Sequence, residues 1–174
     1  VIAPSKPIDP DTYRRVLALH PGGVAIITAM ESGPKGRPVG LTVTAFCAVS
    51  ADPPLVLVCV DAGSNTLPAI RASGAFTVNL VAAGHEDTAL AFASKNPDKF
   101  AAVSWRDGAD GHLAPVLHEV TTAHLACQVE NEVEAGDHLV FIGRVLRAEL
   151  GDHDRPLVYH GRRFVDLGPE ESRR

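Results

Sequence analysis

The chain has 174 residues, 45% apolar and 21% charged, which suits one globular domain able to bury about 70% of its unfolded surface. Its net charge of −5 argues against broad nucleic-acid binding, and no apolar run is long enough to span a membrane. The opening VIAPSKPIDP lacks the apolar stretch of a signal peptide. Cys47, Cys59 and Cys127 are an odd set without C-x-x-C spacing, all in apolar runs, so buried, reduced thiols and a cytoplasmic setting are expected.

Residues 1–8 read as a flexible arm. Asp9-Pro10-Asp11 predicts a helix start, with Asp9 as N-cap and Pro10 at the first helical position. Tyr13, Val16 and Leu17 then share one face that extends toward His20, and Gly22-Gly23 ends the helix. The β-branched run 24–30 and the segment 37–43 predict a hairpin across a Gly- and Ser-containing turn. Strands follow at 45–50 and 55–60 around Asp52-Pro53-Pro54, and the unbroken apolarity of 55–60 predicts burial on both faces. Ser64 or Asn65 can cap a short helix through Arg71, which Ser73-Gly74 breaks before a strand at 75–80. The segment 85–95 predicts a helix anchored by Leu90 and Phe92 and ended by Asn96-Pro97. Residues 104–120 read as loop and turn. Two long strands, 123–133 and 138–149, flank Glu134-Ala135-Gly136-Asp137, and short strands at 156–159 and 163–167 close the domain.

Strands outnumber helices and short turns join them, which favours a mainly β, closed or partly closed antiparallel barrel with peripheral helices. Residues 9–168 would form this single domain and 169–174 a charged tail. No G-x-G-x-x-G follows a strand and no P-loop is present, so a nucleotide would be held by other means than a βαβ fold.

The block 40–60 joins a Thr-rich corner to two strands and runs into Asp61-Ala62-Gly63-Ser64-Asn65-Thr66, a loop of small hydrogen-bonding residues. Small polar groups at the ends of buried strands can hold a flat, polar-edged ligand bearing a phosphate. Thr42 and Thr44 are equally explained by the strand preference of threonine, and the Ser64–Thr66 stretch by helix capping. A helix start also offers N–H groups to a phosphate. His112, His118 and His124 recur every six residues, a spacing that fits no metal-binding motif, and no metal is expected. His138 begins a strand directly after a corner, where a side chain can project over a cleft. There is no G-x-S-x-G elbow, and the cysteines lack a basic neighbourhood that would activate them.

Together the segments GGVAIITA (22–29), VGLTVTAFCAVSADPPLVLVCVDAGSNT (39–66), IRASGAFTVNL (70–80), LAFAS (90–94) with KF (99–100), LACQVENEVEAGDHLVFIGRV (125–145) and PLVYHGRRFVDL (156–167) resemble the flavin reductase-like family in order and spacing. These are the NAD(P)H:flavin oxidoreductases that serve two-component monooxygenases. The resemblance implies a split β-barrel, usually homodimeric, that binds FMN or FAD and uses NADH or NADPH as co-substrate. By the same resemblance, Thr42, Val43, Thr44, Ala45 and Phe46 lie along the isoalloxazine and ribityl chain, with backbone N–H groups toward the ring's polar edge. Cys59, Val60, Asp61, Ser64, Asn65 and Thr66 hold the ribityl-phosphate end, with Ser64 and Thr66 as hydroxyl donors. Phe92, Ala93, Ser94 and Lys95, with Lys99 nearby, border the phosphate or adenine side. His138 lies near the nicotinamide, and Phe164 faces the nicotinamide site, where many relatives carry Tyr. The protein would then orient the two rings for hydride transfer, without a protein nucleophile, and release reduced flavin to a monooxygenase. The competing readings are a flavin-binding barrel that reduces another acceptor such as a metal or corrinoid centre, one that only binds flavin, and a ligand-free interaction module.

Overall fold

The computed structural model describes residues 7–34, 36–108 and 114–168; the expected tail 169–174, most of the expected arm 1–8, and His112 lie outside the described residues. Helix α1 (Pro10–Leu17) starts as its sequence signal predicts: the Asp9 carboxylate accepts from Thr12 N at 2.8 Å, and Pro10 occupies the first turn. Its apolar face is not covered by the described residues, for Tyr13, Val16 and Leu17 are each at least half exposed. Gly22-Gly23, expected to end that helix, instead forms a short strand β1 (Gly22–Gly23).

Strand β2 (Ala25–Met30) pairs with β3 (Pro38–Val43) as the expected hairpin, in register from Ala25 opposite Val43 to Met30 opposite Pro38. β4 (Phe46–Ala51) and β5 (Pro54–Asp61) flank the proline turn, α2 (Leu67–Ser73) and β6 (Ala75–Val81) follow, and α3 (Glu86–Ala93) crosses the outside. The long hairpin β7 (Thr121–Ala135) and β8 (His138–Leu150) turns on Gly136-Asp137 alone, with Gly136 at φ 66°. β9 (Val158–His160) and β10 (Arg163–Val165) pair with each other and, through β9, with β1. Segment 104–120 is not plain loop: Arg106 bridges to Val116, and His118–Val120 makes a 3₁₀ turn. Thr77 Oγ1 donates to Ala114 O at 3.1 Å and Leu117 N donates to Asn79 Oδ1 at 2.8 Å, which pins this segment onto β6.

The large sheet has seven strands in the order β3-β2-β6-β7-β8-β5-β4, every pair antiparallel. Its edge strands β3 and β4 are neighbours in sequence, joined by Thr44-Ala45, and Cys59 N donates to Ala45 O at 3.0 Å, which carries the β4–β5 ladder one residue into that link. The sheet therefore curls until its edges approach without pairing, which gives a split barrel rather than a closed one. Ala25, Ile27, Val56, Val58, Phe76, Val78 and Phe141 fill the barrel, capped by Leu67 and Ile70 of α2. Val24, just before β2, and Ile26 on the opposite face of β2 pack with Ala89 and Phe92 of α3 and with Leu117 and Leu157.

Three expectations about burial need correction. β5 alternates rather than being buried on both faces: Val56, Val58 and Val60 point into the barrel, while Leu55, Leu57 and Cys59 are half-buried on the outer face. An antiparallel barrel covers one face of a strand, whatever the apolarity of the other. Leu90 is 56% exposed; the anchors of α3 are Ala89 and Phe92, three residues apart on one face. Only Cys127 is a buried thiol, pushed up to about 12 by its burial, whereas Cys59 is half-buried and Cys47 exposed.

Candidate active site

Three adjoining clefts lie where β3, the 61–66 loop, α3 and the segment after α3 meet. The central cleft, about 300 Å³, is walled by Leu41 and Thr42 of β3, by Asp61 and Gly63–Thr66, by Phe92 and Ala93 of α3, and by Ser94, Lys95 and Lys99. A second cleft, about 210 Å³, shares Asn65, Thr66 and Lys99 with it. A third, about 240 Å³, shares Thr42 and Ala93 with it and is lined by Val24, Val43, Thr44, Ala89, Leu90, Tyr159 and Phe164.

The close approach of β3 to α3 requires Gly40. A Cβ there would stand 2.9 Å from two ring carbons of Phe92 and 3.0 Å from Ile27 O. Thr42 Oγ1 donates to Ala89 O at 2.6 Å, so its hydroxyl proton ties the strand to the helix and only its lone pairs face a ligand. Lys99 reaches back into the same junction, its ammonium donating to Gly40 O at 3.0 Å and Phe92 O at 2.8 Å. Burial holds this ammonium below the usual lysine pKa.

The 61–66 loop uses most of its own N–H groups. Asp61 Oδ1 accepts from Gly63 N at 2.7 Å, Asp61 O from Ser64 N at 2.9 Å, and Ser64 Oγ from Thr66 N at 3.2 Å. Leu67 N donates to Ser64 O at 3.2 Å. The N-cap of α2 is Thr66, not Ser64 or Asn65, and it makes no side-chain cap bond. The amides expected to meet a phosphate are thus largely spent inside the turn, and the polar groups left for a ligand are side chains: the Ser64 hydroxyl, the Asn65 amide, and the ammonium groups of Lys95 and Lys99. Ala62 N donates to Asp137 O at 3.0 Å, which docks the loop against the β7–β8 turn.

The central cleft gathers Thr42, Asp61, Ser64, Asn65, Thr66, Phe92, Ala93, Ser94 and Lys95 of the residues the sequence pointed to. The third cleft gathers Val43, Thr44 and Phe164, with the Phe164 ring edge-on to Tyr159 at 5.4 Å. Val43, Val60 and Phe92 have their side chains in the core. Ala45 is exposed and Phe46 and Cys59 half-buried beside the seam; none of the three lines a cleft. His138 also lies outside the clefts, at the end of β8 opposite Asp61, its Nδ1 2.8 Å from Asp137 Oδ1. Leu41 and Tyr159 line clefts without having been singled out, although Tyr159 stands inside the closing Y-x-x-R-R-F segment. Among the described residues no cluster of three or more metal-ligating side chains occurs.

This arrangement suits an elongated ligand with a flat, largely apolar body beside Thr44, Tyr159 and Phe164 and an anionic part beside Ser64, Lys95 and Lys99. Residues 17–168 match the model of the flavin reductase like domain. A flavin reductase (NADH) of Kitasatospora aureofaciens is 37% identical over 96% of this chain and 86% of its own length. The reductase subunit of a flavin-dependent monooxygenase from Rhodococcus jostii is 36% identical over 95% of this chain and 82% of its own. A Streptomyces globisporus NADH:FAD oxidoreductase, solved in complex with NAD and FAD fragments, superposes with a TM-score of 0.84 at 32% identity, covering 96% of this chain and 99% of that one. With its split barrel, its hydroxyl- and lysine-lined cleft and matches over nearly all its length, the chain belongs to the flavin reductase like family.

Proposed function

We propose that this protein is an NAD(P)H-dependent flavin reductase that passes hydride from nicotinamide to FMN or FAD and supplies the reduced flavin to a partner monooxygenase. The observation that carries the reading is the continuity of the aromatic third cleft with the hydroxyl- and lysine-lined central cleft through Thr42 and Ala93. The lining fits a flavin mononucleotide portion: Ser64, Asn65, Lys95 and Lys99 toward the phosphate, and Thr42, Thr44 and the Tyr159–Phe164 pair toward the ring. Bound flavin would supply the hydride acceptor. The chain's own residues orient and desolvate: Phe164 and Tyr159 shield one side of the ring, Lys99 balances phosphate charge, and His138 positions the nicotinamide from the rim of the barrel. Alignment of two bound rings needs no protein nucleophile, in keeping with the three thiols, none of which lines a cleft.

The relatives named as monooxygenase reductase subunits support diffusible reduced flavin as the product. We read residues 9–168 as one domain working as a homodimer in the cytoplasm; the uncovered apolar face of α1 and the half-buried outer face of β5 are consistent with a second copy, and no described helix is long and apolar enough to cross a membrane. An anaerobic assay of the purified protein with NADH or NADPH and added FMN, FAD or riboflavin tests the activity. Absence of nicotinamide oxidation with every combination rejects the enzyme, and flavin binding without oxidation selects a barrel that only carries flavin.

A further inference from the structure

The closing Y-x-x-R-R-F segment holds two arginines that line none of the three clefts, Arg162 and Arg163. Among the described residues, every arginine has a carboxylate within ion-pair distance except Arg15, Arg162 and Arg163. These three belong to one corner. Gly161 N donates to Ala18 O at 2.8 Å, which ties the β9–β10 turn to the end of α1, and Arg15 stands in the last turn of that helix. In a chain of net charge −5 the corner is basic and uncompensated by the described residues. The backbone gives a second, independent observation. β9 and β10 join through Gly161-Arg162 alone, at φ 59° and 63°, the left-handed pair of a type I′ turn. Arg162 is the only described non-glycine residue with positive φ, and glycine would hold the position with less strain, so the local fold does not require an arginine there.

The position of the turn decides what its charge can meet. Tyr159 and Phe164, which line the third cleft, face each other across the ladder; His160 and Arg163 form the next rung, and the turn closes it. The turn therefore stands about 7 Å along the ribbon from the aromatic pair, two residues of strand. Hydride transfer would bring the nicotinamide ring to that pair, and a dinucleotide places one ribose between the ring and its first phosphate. The phosphate end assigned to the flavin, at Ser64, Lys95 and Lys99, lies on the far side of Thr42 and Ala93. We propose that Arg162 and Arg163, with Arg15 beside them, bind the diphosphate of the nicotinamide dinucleotide and set its KM. Planar guanidinium groups suit such an anion, and NADH and NADPH share it. This rests on the flavin reductase reading above.

Steady-state kinetics of Arg162→Gly test this, with NADH, NADPH and 1-benzyl-1,4-dihydronicotinamide, a donor that keeps the reacting ring and carries no phosphate. KM for NADH and NADPH should rise alike by about tenfold, the scale of one lost charge-assisted hydrogen bond, while KM for the benzyl donor and flavin affinity stay as they were. The thermal midpoint should not fall, because glycine relieves the left-handed strain, so weaker dinucleotide binding would not trace to misfolding. Arg163→Gln should shift KM in the same direction. An unchanged KM for both dinucleotides, or an equal rise for the benzyl donor, would overturn the assignment while leaving the reductase reading intact. A rise confined to NADPH would assign the arginines to its 2′-phosphate, and a loss of flavin affinity would assign them to the flavin; either also overturns it. No oxidation of any of the three donors by the unsubstituted protein would reject both readings.

Discussion

Lys99→Met separates a lysine that braces the fold from one that holds the ligand. The ammonium has three protons, and the structure commits two of them, to Gly40 O at 3.0 Å and Phe92 O at 2.8 Å. Methionine keeps most of the stem and removes the charge. The lost bonds leave two half-buried carbonyls unpaired by protein, which should cost about 1–3 kcal/mol of stability. The remaining proton and the positive charge are available to a phosphate in the central cleft. One charge-assisted hydrogen bond contributes about 1.5–3 kcal/mol, so FMN and FAD affinity should both fall by roughly tenfold to a hundredfold. Flavin fluorescence titration measures the affinity, and urea unfolding of the ligand-free protein measures the stability. Because burial holds the ammonium below the usual lysine pKa, flavin affinity of the unsubstituted protein should begin to fall on the alkaline side before an ordinary lysine would titrate, and Lys99→Met should abolish that decline. A variant with lower stability but unchanged flavin affinity would show that Lys99 is only a strut, and the phosphate would have to be placed elsewhere.

Gly40→Ala should destabilise the protein by about 1–3 kcal/mol, because the new Cβ meets the Phe92 ring at 2.9 Å and backbone at 3.0 Å; its flavin affinity should drop as α3 is pushed away. His138→Ala should raise the KM for nicotinamide severalfold with flavin affinity nearly unchanged, since the side chain stands at the rim and outside the clefts; steady-state kinetics and titration separate the two, and equal loss of both would misplace the residue. Acid stability provides a fourth check. Burial lowers the pKa of His124 from 6.5, and bonds from Arg147 and Arg106 lower Glu149 from 4.5 to about 2. In both cases the unfolded chain takes up the proton more readily, so the stability contribution is complete above the unfolded pKa and is lost as pH falls through the folded one. Urea midpoints should therefore decline below pH 6.5 and again below pH 4.5, and His124→Gln should remove the first decline and keep the second.

The local elements were legible because their causes are local. Asp9 and Pro10 set the start of α1, Gly136-Asp137 turns the long hairpin, and alternating or continuous apolar runs mark each strand of the large sheet. The order of these segments also carried the family resemblance. Burial was read less well, because it depends on what a face meets. The outer face of β5 is as apolar as its inner one, and only barrel closure decides which is covered. Leu90 exceeds Ala89 in size, but the direction from which β2 and β3 approach α3 buries the alanine.

The sequence by itself determined a mainly β domain, its hairpins and the presence of small polar residues in the 61–66 loop, since propensity, capping and turn chemistry act over a few residues. Only the tertiary structure decided that Lys99 would meet Gly40 from 59 residues away, that the loop's amides would be spent inside its own turn, and that three clefts would join through Thr42, Ala93, Asn65 and Lys99. A cleft exists where distant segments fail to fill the space between them, and that space is set by long-range strand register and by the one position, Gly40, that lets α3 close on the sheet.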